Sequence, residues 1–420
     1  MPSTQSRIAR PAACSPWVAI SALVCLPVDA QENPVRPSLS LSAGYTGDLR
    51  RNTTGGLAVG DAYADSIDLG LVWVNDGLLG GTRMTANLSM MYLHGDDITG
   101  RLVGDLQGVN NLEAQDGWKL YESWVEFGFG DGASTLRTGV LDINAEFDVP
   151  ETSALFLNSS FGIGPDLSQT GVRGPGCWPN TGLGMRLAGE WRGGLAWRVA
   201  AYDATPGTDD DDFTSVHVSR GDGALIAGEL EYRSERIHKL AFGAWQYSAS
   251  FEPLLAVPST PQEHRGNRGF YAMIDASLGS VGRVDFDGAL RAGTASVKFN
   301  AVDLYTGAVI TATHLWESRP GDALGLGVAR VRLGDSYRAL RNSEGQPATA
   351  AETTFELVYR AELTPWLSLL PNVQFVDSPG ADPGTGDSWV AGLRFEIAYE
   401  KSWALMARAQ RKSPSFALGQ

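Results

Sequence analysis

Between Thr353 and Val376 the chain reads TTFELVYRAELTPWLSLLPNVQFV, and on either side of Thr364-Pro365-Trp366 every second residue is apolar. Phe355, Leu357, Tyr359, Ala361 and Leu363 fall on one face of an extended chain, and Glu356, Val358, Arg360 and Glu362 on the other. After the turn, Leu367, Leu369, Val373 and Phe375 alternate with Ser368, Asn372 and Gln374. A period of two over this length specifies paired strands and excludes a helix.

The same alternation marks sixteen candidate strands, at about 39–50, 62–75, 82–93, 118–130, 133–142, 181–190, 195–203 and 223–234, then 238–248, 268–279, 282–293, 302–314, 322–332, 353–363, 366–377 and 387–399. Long connections (51–61, 94–117, 143–180, 204–222, 249–267, 294–301, 333–352, 378–386) alternate with short ones such as Asp131-Gly132 and Gly279-Ser280. A soluble sandwich has no reason to keep its long loops on every second connection. A transmembrane antiparallel barrel has short turns on one side of the membrane, long loops on the other and an even number of strands. No convincing helical pattern separates the strands, which argues against a βαβ architecture.

The two faces differ consistently. One carries Ile67, Leu69, Leu71 and Trp73, then Leu183, Met185 and Leu187, then Leu393, Phe395, Ile397 and Tyr399; the other carries Arg83, Glu122, Glu126, Arg137, Arg186, Arg198, Asp285, Asp287, Arg291, Glu356, Arg360, Glu362, Arg394 and Glu396. Inside hydrocarbon every unpaired backbone group is costly, so such strands must close on themselves. Sixteen strands enclose an aqueous lumen, and the charged face lines it.

The rest of the chain fits that class. After residue 30 no apolar run approaches the roughly 20 residues a spanning helix needs, and mean hydropathy is slightly negative. Arg7 and Arg10 precede the short apolar segment 17–26, and Val28-Asp29-Ala30 offers a cleavage site, so 1–30 reads as an export signal and the mature chain is expected from Gln31. Residues 31–38 then form a short N-terminal periplasmic segment, 39–399 the barrel and 400–420 a C-terminal extension. Cys14 and Cys25 leave with the signal, so Cys177 alone remains and no internal disulfide is available. Loss of two arginines and one aspartate takes the net charge from −15 to −16, which argues against nucleic acid as a partner.

Several runs resemble the carbohydrate-selective porins of the bacterial outer membrane, the OprB family: VGDLQGVNNLEA (103–114), LYESWVEFGFGDG (120–132), LRTGVLD (136–142), ALFLNSSFGI (154–163), GNRGFYA (266–272), RPGDALGLGV (319–328), AETTFELVYRA (351–361) and TPWLSLLPNVQFV (364–376). They span nearly the whole mature chain, in order. The resemblance implies a sixteen-stranded channel for passive diffusion of sugars such as glucose, without cofactor or covalent chemistry. It also implies an inward-folded constriction loop, for which 143–180 is the natural candidate. Two departures stand out: residues 400–420 follow Tyr399, where the last aromatic strand usually ends and serves the barrel-assembly machinery, and GVRGPGCWPN (171–180) is idiosyncratic.

A sugar presents hydroxyls at its rim and C–H faces above and below, so a selective eyelet wants charged or amide groups and an aromatic plane. Glu122, Trp124 and Glu126 share inward parity, and Arg137 points inward from the next strand. Arg83, Arg186, Arg198 and Arg360 join them by parity, Asn158 and Phe161 through the family run. The competing reading of the charges is a salt-bridge ladder between neighbouring strands. Asp209, Asp210, Asp211 and Asp212 could hold calcium, but as a run without spaced ligands they read better as a solvated acidic loop. The remaining expected partners are outer-membrane lipid and small sugars. A homotrimer is left open, because such a contact would look like any other oily face. The alternatives to transport are an adhesin acting through its loops and a lipase-like barrel enzyme, against which the five histidines are dispersed.

Overall fold

The computed structural model describes residues 37–79, 82–130, 133–207, 213–214, 216, 223–255 and 265–404. The expected signal at 1–30, the acidic run Asp209–Asp212 and the end of the chain from 405 lie outside them. Sixteen antiparallel strands form one closed barrel in which each pairs with its chain neighbours and the first pairs with the last. They are β1 (Ser38–Gly56), β2 (Gly60–Leu79), β3 (Thr82–Gly95), β4 (Gly117–Phe129), β5 (Ser134–Leu141), β6 (Gly182–Trp191), β7 (Leu195–Asp203) and β8 (Ala224–Tyr232), followed by β9 (Ile237–Tyr247), β10 (Arg268–Val281), β11 (Val284–Ala295), β12 (Val302–Thr313), β13 (Ala323–Leu333), β14 (Ala351–Thr364), β15 (Leu367–Asp377) and β16 (Gly386–Ala404). Closure runs from Ser38↔Ala404 to Gly56↔Gly386, so neither sheet edge is left with unpaired backbone.

The barrel is inside out relative to a soluble core. Phe242 and Leu357 on the outer face are 61% and 48% exposed, whereas Glu356 and Gln374 on the inner face are 1% and 0%. Outward aromatic side chains stack across strands near one rim, with Phe375 4.9 Å from Trp389 and 6.3 Å from Phe355 between ring centroids. Such pairs add cross-strand stabilisation where the wall meets the interface.

Three expectations change. The segment 51–61 is not a long loop: β1 and β2 continue to Gly56 and from Gly60, leaving three residues between them. Their outward residues there, Arg51 and Asp61, form an exposed ion pair at 2.8 Å, so the apolar alternation stops while the strand goes on. The last strand likewise runs past Tyr399 to Ala404, carrying Lys401 against the Trp403 ring. The connection after β13 contains a nine-residue helix, Asp335–Ser343, with no buried residue.

Two long loops fold into the barrel, where one was expected. The 142–181 loop sends its backbone N–H groups to inward carboxylates: Leu157 and Asn158 donate to Glu356 at 2.8 and 3.0 Å, and Thr152 to Asp275 at 2.7 Å. Phe156 and Phe161 pack on Val309, Ala329, Val331 and Val358. Room for them comes from Gly325 and Gly327 on β13, where an added Cβ would stand 2.9 and 2.7 Å from those rings. The second loop, 96–116, buries Ile98, Leu102, Val103 and Val109 against Ala62, Val376 and Val390. The apolar cores of this protein therefore lie between its loops and the inner wall.

Leu357 stands at the middle of β14 on the outer face. Leu357→Arg is expected to cost about 2–4 kcal/mol in urea unfolding from lipid vesicles; an unchanged midpoint would place this position away from hydrocarbon.

Candidate functional site

Register brings the candidate charges together. Glu126 on β4 lies directly opposite Arg137 on β5, Arg137 opposite Arg186 on β6, and Arg198 on β7 opposite Glu229 on β8. The second of these pairs is anomalous, because like charges directly opposed across strands repel. A carboxylate from elsewhere must resolve it, and Glu146 of the 142–181 loop does so.

Glu146 accepts from Arg186 Nε and Nη2 at 2.5 and 2.6 Å and lies 3.2 Å from Arg137 Nη1, while its backbone carbonyl accepts from Arg198 Nη1 at 2.7 Å. Burial alone would push the Glu146 carboxyl up, but Arg137, Arg186 and Arg198 hold it down at about 2. Glu126 completes the other side, accepting from Arg137 Nε at 3.0 Å and Arg186 Nη2 at 2.5 Å. The chain of charges continues from Arg198 to Glu229 and Glu231, from these to Lys239, and from Glu231 through Arg233 to Glu151. Five cations thus alternate with five carboxylates, so the ladder gives the lumen a local transverse field with little net charge.

Other expected residues are placed differently. Trp124 does point inward, but it is only 4% exposed, and the Arg137 guanidinium covers its ring at 3.9 Å from the centroid. The open aromatic plane expected there is absent: a cation already occupies the face a sugar would use. Asn158 and Phe161 are also buried, Asn158 donating to Gln374 Oε1 at 3.2 Å and Phe161 lying 4.8 Å from Phe156. They seat the loop and do not face the water path. Glu122 is buried, accepting from the Asp142 backbone N–H at 3.1 Å where the loop leaves β5. Arg83 stands apart, half-exposed, with Asp76 at 3.8 Å. Arg360 pairs with Glu396 at 2.9 Å and donates to Ser368, far from the β4–β9 ladder.

Glu146 escaped the sequence reading because a loop has no period from which to infer direction. The detectable signal was indirect: two arginines at matched positions on neighbouring strands require an anion between them.

A second charged centre binds the loop two strands beyond the end of the ladder. Arg291 on β11 donates from Nε and Nη2 to Asp148 at 2.7 and 2.6 Å and from Nη1 to Asp166 at 2.5 Å, beneath the Tyr305 ring at 4.8 Å. Asp148 is only two residues after Glu146 and has a positive φ of 61°, a left-handed conformation, with its backbone N–H on Glu229 of the ladder and its side chain on Arg291. Among the described residues no group of three or more His, Cys, Asp or Glu is arranged to hold a metal ion.

The family model for carbohydrate-selective porins, OprB family, matches residues 60–399. Porin B of Pseudomonas aeruginosa is 21% identical over 394 residues, covering 84% of this chain and 86% of that protein. Among solved structures, the high-pH structure of Pseudomonas putida OprB superposes with a TM-score of 0.75 at 19% identity, covering 86% of this chain and 94% of its own. An anion-selective porin from Comamonas acidovorans matches with a TM-score of 0.52 at 13% identity, covering 86% and 100% of the two chains.

Removing the central anion should expose the like-charge repulsion. Glu146→Ala is expected to cost about 3–5 kcal/mol in urea unfolding, because two buried arginines lose their shared partner, and to raise single-channel conductance; unchanged conductance would show that this contact does not hold the loop. A carboxyl held below its unfolded pKa contributes stability that is complete above about 4.3 and is lost as pH falls through its folded value. For Glu146 that value is about 2. The Glu146 contacts are therefore expected to persist through mildly acid pH, so a conductance step between neutral and mildly acid pH in wild type is expected to come from Asp148, which burial raises to about 6, and to survive in Glu146→Ala; a step that disappears in Glu146→Ala would contradict the assignment.

Proposed function

We infer, from the premise that this chain belongs to the OprB family of carbohydrate-selective porins, that sugar hydroxyls pass along the exposed edge of the β4–β9 charge ladder. The protein is an outer-membrane sugar porin. What remains to be assigned is which of its side chains meet the sugar, and how.

The observation that carries the assignment is the graded exposure of the ladder. Arg137 and Arg186 side chains are 5% and 3% exposed, whereas Arg198, Glu126 and Glu146 present 17%, 13% and 11% of theirs. The arginines at the centre are consumed in holding the loop. Arg198, Glu126 and Glu146 retain surface on which donors and acceptors stand side by side, a pattern that suits a hydroxyl, which both donates and accepts. Each hydroxyl exchanges water for one side chain at little net gain, so attraction is weak and the sugar can leave, as conduction requires. With Trp124 covered, the expected recognition is through hydroxyls and does not depend on stacking. Transport is passive on this account, and monosaccharides such as glucose are the preferred size.

The outer face, including Leu69, Leu187, Leu290 and Leu357, is assigned to lipid, and Tyr399 at an internal outward position to the aromatic mark read by the barrel-assembly machinery.

Purified protein in a planar bilayer is expected to give steady conductance that falls on addition of glucose. Arg198→Ala should weaken that fall several-fold while Trp124→Ala changes it little in comparison. Absence of sugar-sensitive conductance would remove the transport reading, and a dominant effect of Trp124→Ala would return recognition to the aromatic plane.

A further inference from the structure

We propose that the pore is bounded by two loops and that Gln107 is the positioning residue that sets the largest sugar admitted, by locking the 96–116 loop to the 142–181 loop; the inference rests on the transport reading above. Gln107 is 3% exposed and lies at a three-way junction. Its Nε2 donates to Glu352 Oε1 and Thr354 Oγ1 on β14, both at 3.1 Å, and its Oε1 accepts from Ser160 Oγ of the other loop at 3.1 Å. The circuit closes through neutral groups. The single Ser160 hydroxyl proton is shared between Gln107 Oε1 and Asn158 Oδ1, the latter at 2.7 Å, Asn158 Nδ2 donates to Gln374 Oε1, and Gln374 Nε2 returns to the Val109 carbonyl at 2.8 Å, two residues beyond Gln107.

The backbones of the loops are joined beside this circuit. Asn111 N–H donates to the Leu157 carbonyl at 2.9 Å and Ser159 N–H to the Gly108 carbonyl at 2.8 Å. The 96–116 loop is also held from the wall, with Arg50 Nη1 donating to the Val109 carbonyl at 2.8 Å and Arg394 Nη2 to Asn110 and Asn111 at 2.9 and 2.7 Å. Those arginines fix where the loop meets β1 and β16. Gln107 adds to the two backbone bonds a side-chain tie from the same loop to both β14 and Ser160, so its loss is expected to let the two loops part.

The seam contrasts with the charge ladder. Its bonds, including the one from Gln107 to the fully buried Glu352 carboxylate, gain strength from a low local dielectric and are little affected by salt because they are out of solvent, whereas the exposed edge of the ladder is screened. The selectivity carried by Gln107 is therefore expected to be independent of salt.

Liposome swelling with glucose, a disaccharide and a trisaccharide tests this in wild type, Gln107→Ala and Ser160→Ala. Resistance of the unheated band to denaturation on gels reports that each barrel has folded. The expected result is a several-fold rise in the trisaccharide-to-glucose rate ratio for Gln107→Ala, equal at low and high salt, and a smaller rise for Ser160→Ala, which deletes one bond of the junction and serves alone if the first variant fails to assemble. A wild type that passes glucose while the variants keep its ratio overturns the inference and leaves the transport reading intact. A rise confined to low salt also overturns it, since the seam would then be electrostatic. A wild type that passes no sugar removes both.

Discussion

Everything in this molecule follows from the requirement that no backbone hydrogen-bonding group be left unpaired in hydrocarbon. A strand satisfies its backbone only through neighbours, so sixteen strands must return to the first, and Ser38–Gly56 meets Gly386–Ala404 along its whole length. Closure separates two environments and thereby sorts the side chains by parity. Leucine and phenylalanine go outward because the surroundings are apolar; arginine, glutamate and the amides go inward because only the interior contains water or partners. The alternation is the sequence record of that sorting.

A sixteen-stranded wall leaves an interior too wide for its own side chains to fill. The loops fill part of it, and each seat uses the chemistry the wall provides. Where β13 offers Gly325 and Gly327, the loop inserts Phe156 and Phe161. Where β5 and β6 oppose Arg137 to Arg186, it inserts Glu146. Where β11 offers Arg291, it inserts Asp148 and Asp166. The wall thus specifies the loop as much as the loop narrows the wall, and an arginine that faces a carboxylate of the loop is less available to solute than its inward parity suggests.

Legibility in the sequence tracks periodicity. The strand number and the sides of Leu357, Glu356, Arg137 and Arg186 could be read because alternation is enforced by a two-sided environment. It failed first where one side changed: beyond Leu49 the outward residues Arg51 and Thr53 are polar, because they are no longer required to be apolar, and the continuing strand resembled a loop. The 96–116 loop was illegible for a related reason. Gln107, Asn110 and Asn111 look like solvent-exposed loop residues, yet their partners are Glu352, Thr354 and Arg394, more than two hundred residues away. Parity also placed Trp124 correctly without revealing that Arg137 would lie over it, since direction along a strand says nothing about what covers the side chain.

The interior is consequently held by two kinds of bond on two walls. On the β4–β9 side the contacts are ionic, and alternating sign lets the same residues hold the loop and, on the proposed reading, offer donors and acceptors to a passing solute. On the β14–β15 side they are buried bonds of amides, hydroxyls and backbone N–H groups, some of them to the Glu352 and Glu356 carboxylates, which suits a support better than a binding surface because these groups already have partners. A porin needs both properties at once. Its constriction must be rigid, or it cannot discriminate by size, and its contact with solute must be weak, or the solute stays. On the proposed assignment the buried bonds of the seam supply rigidity alone, while the ladder, whose mutual pairing already offsets most of its attraction, both holds the loop and meets the solute, so that strengthening the support does not strengthen the contact.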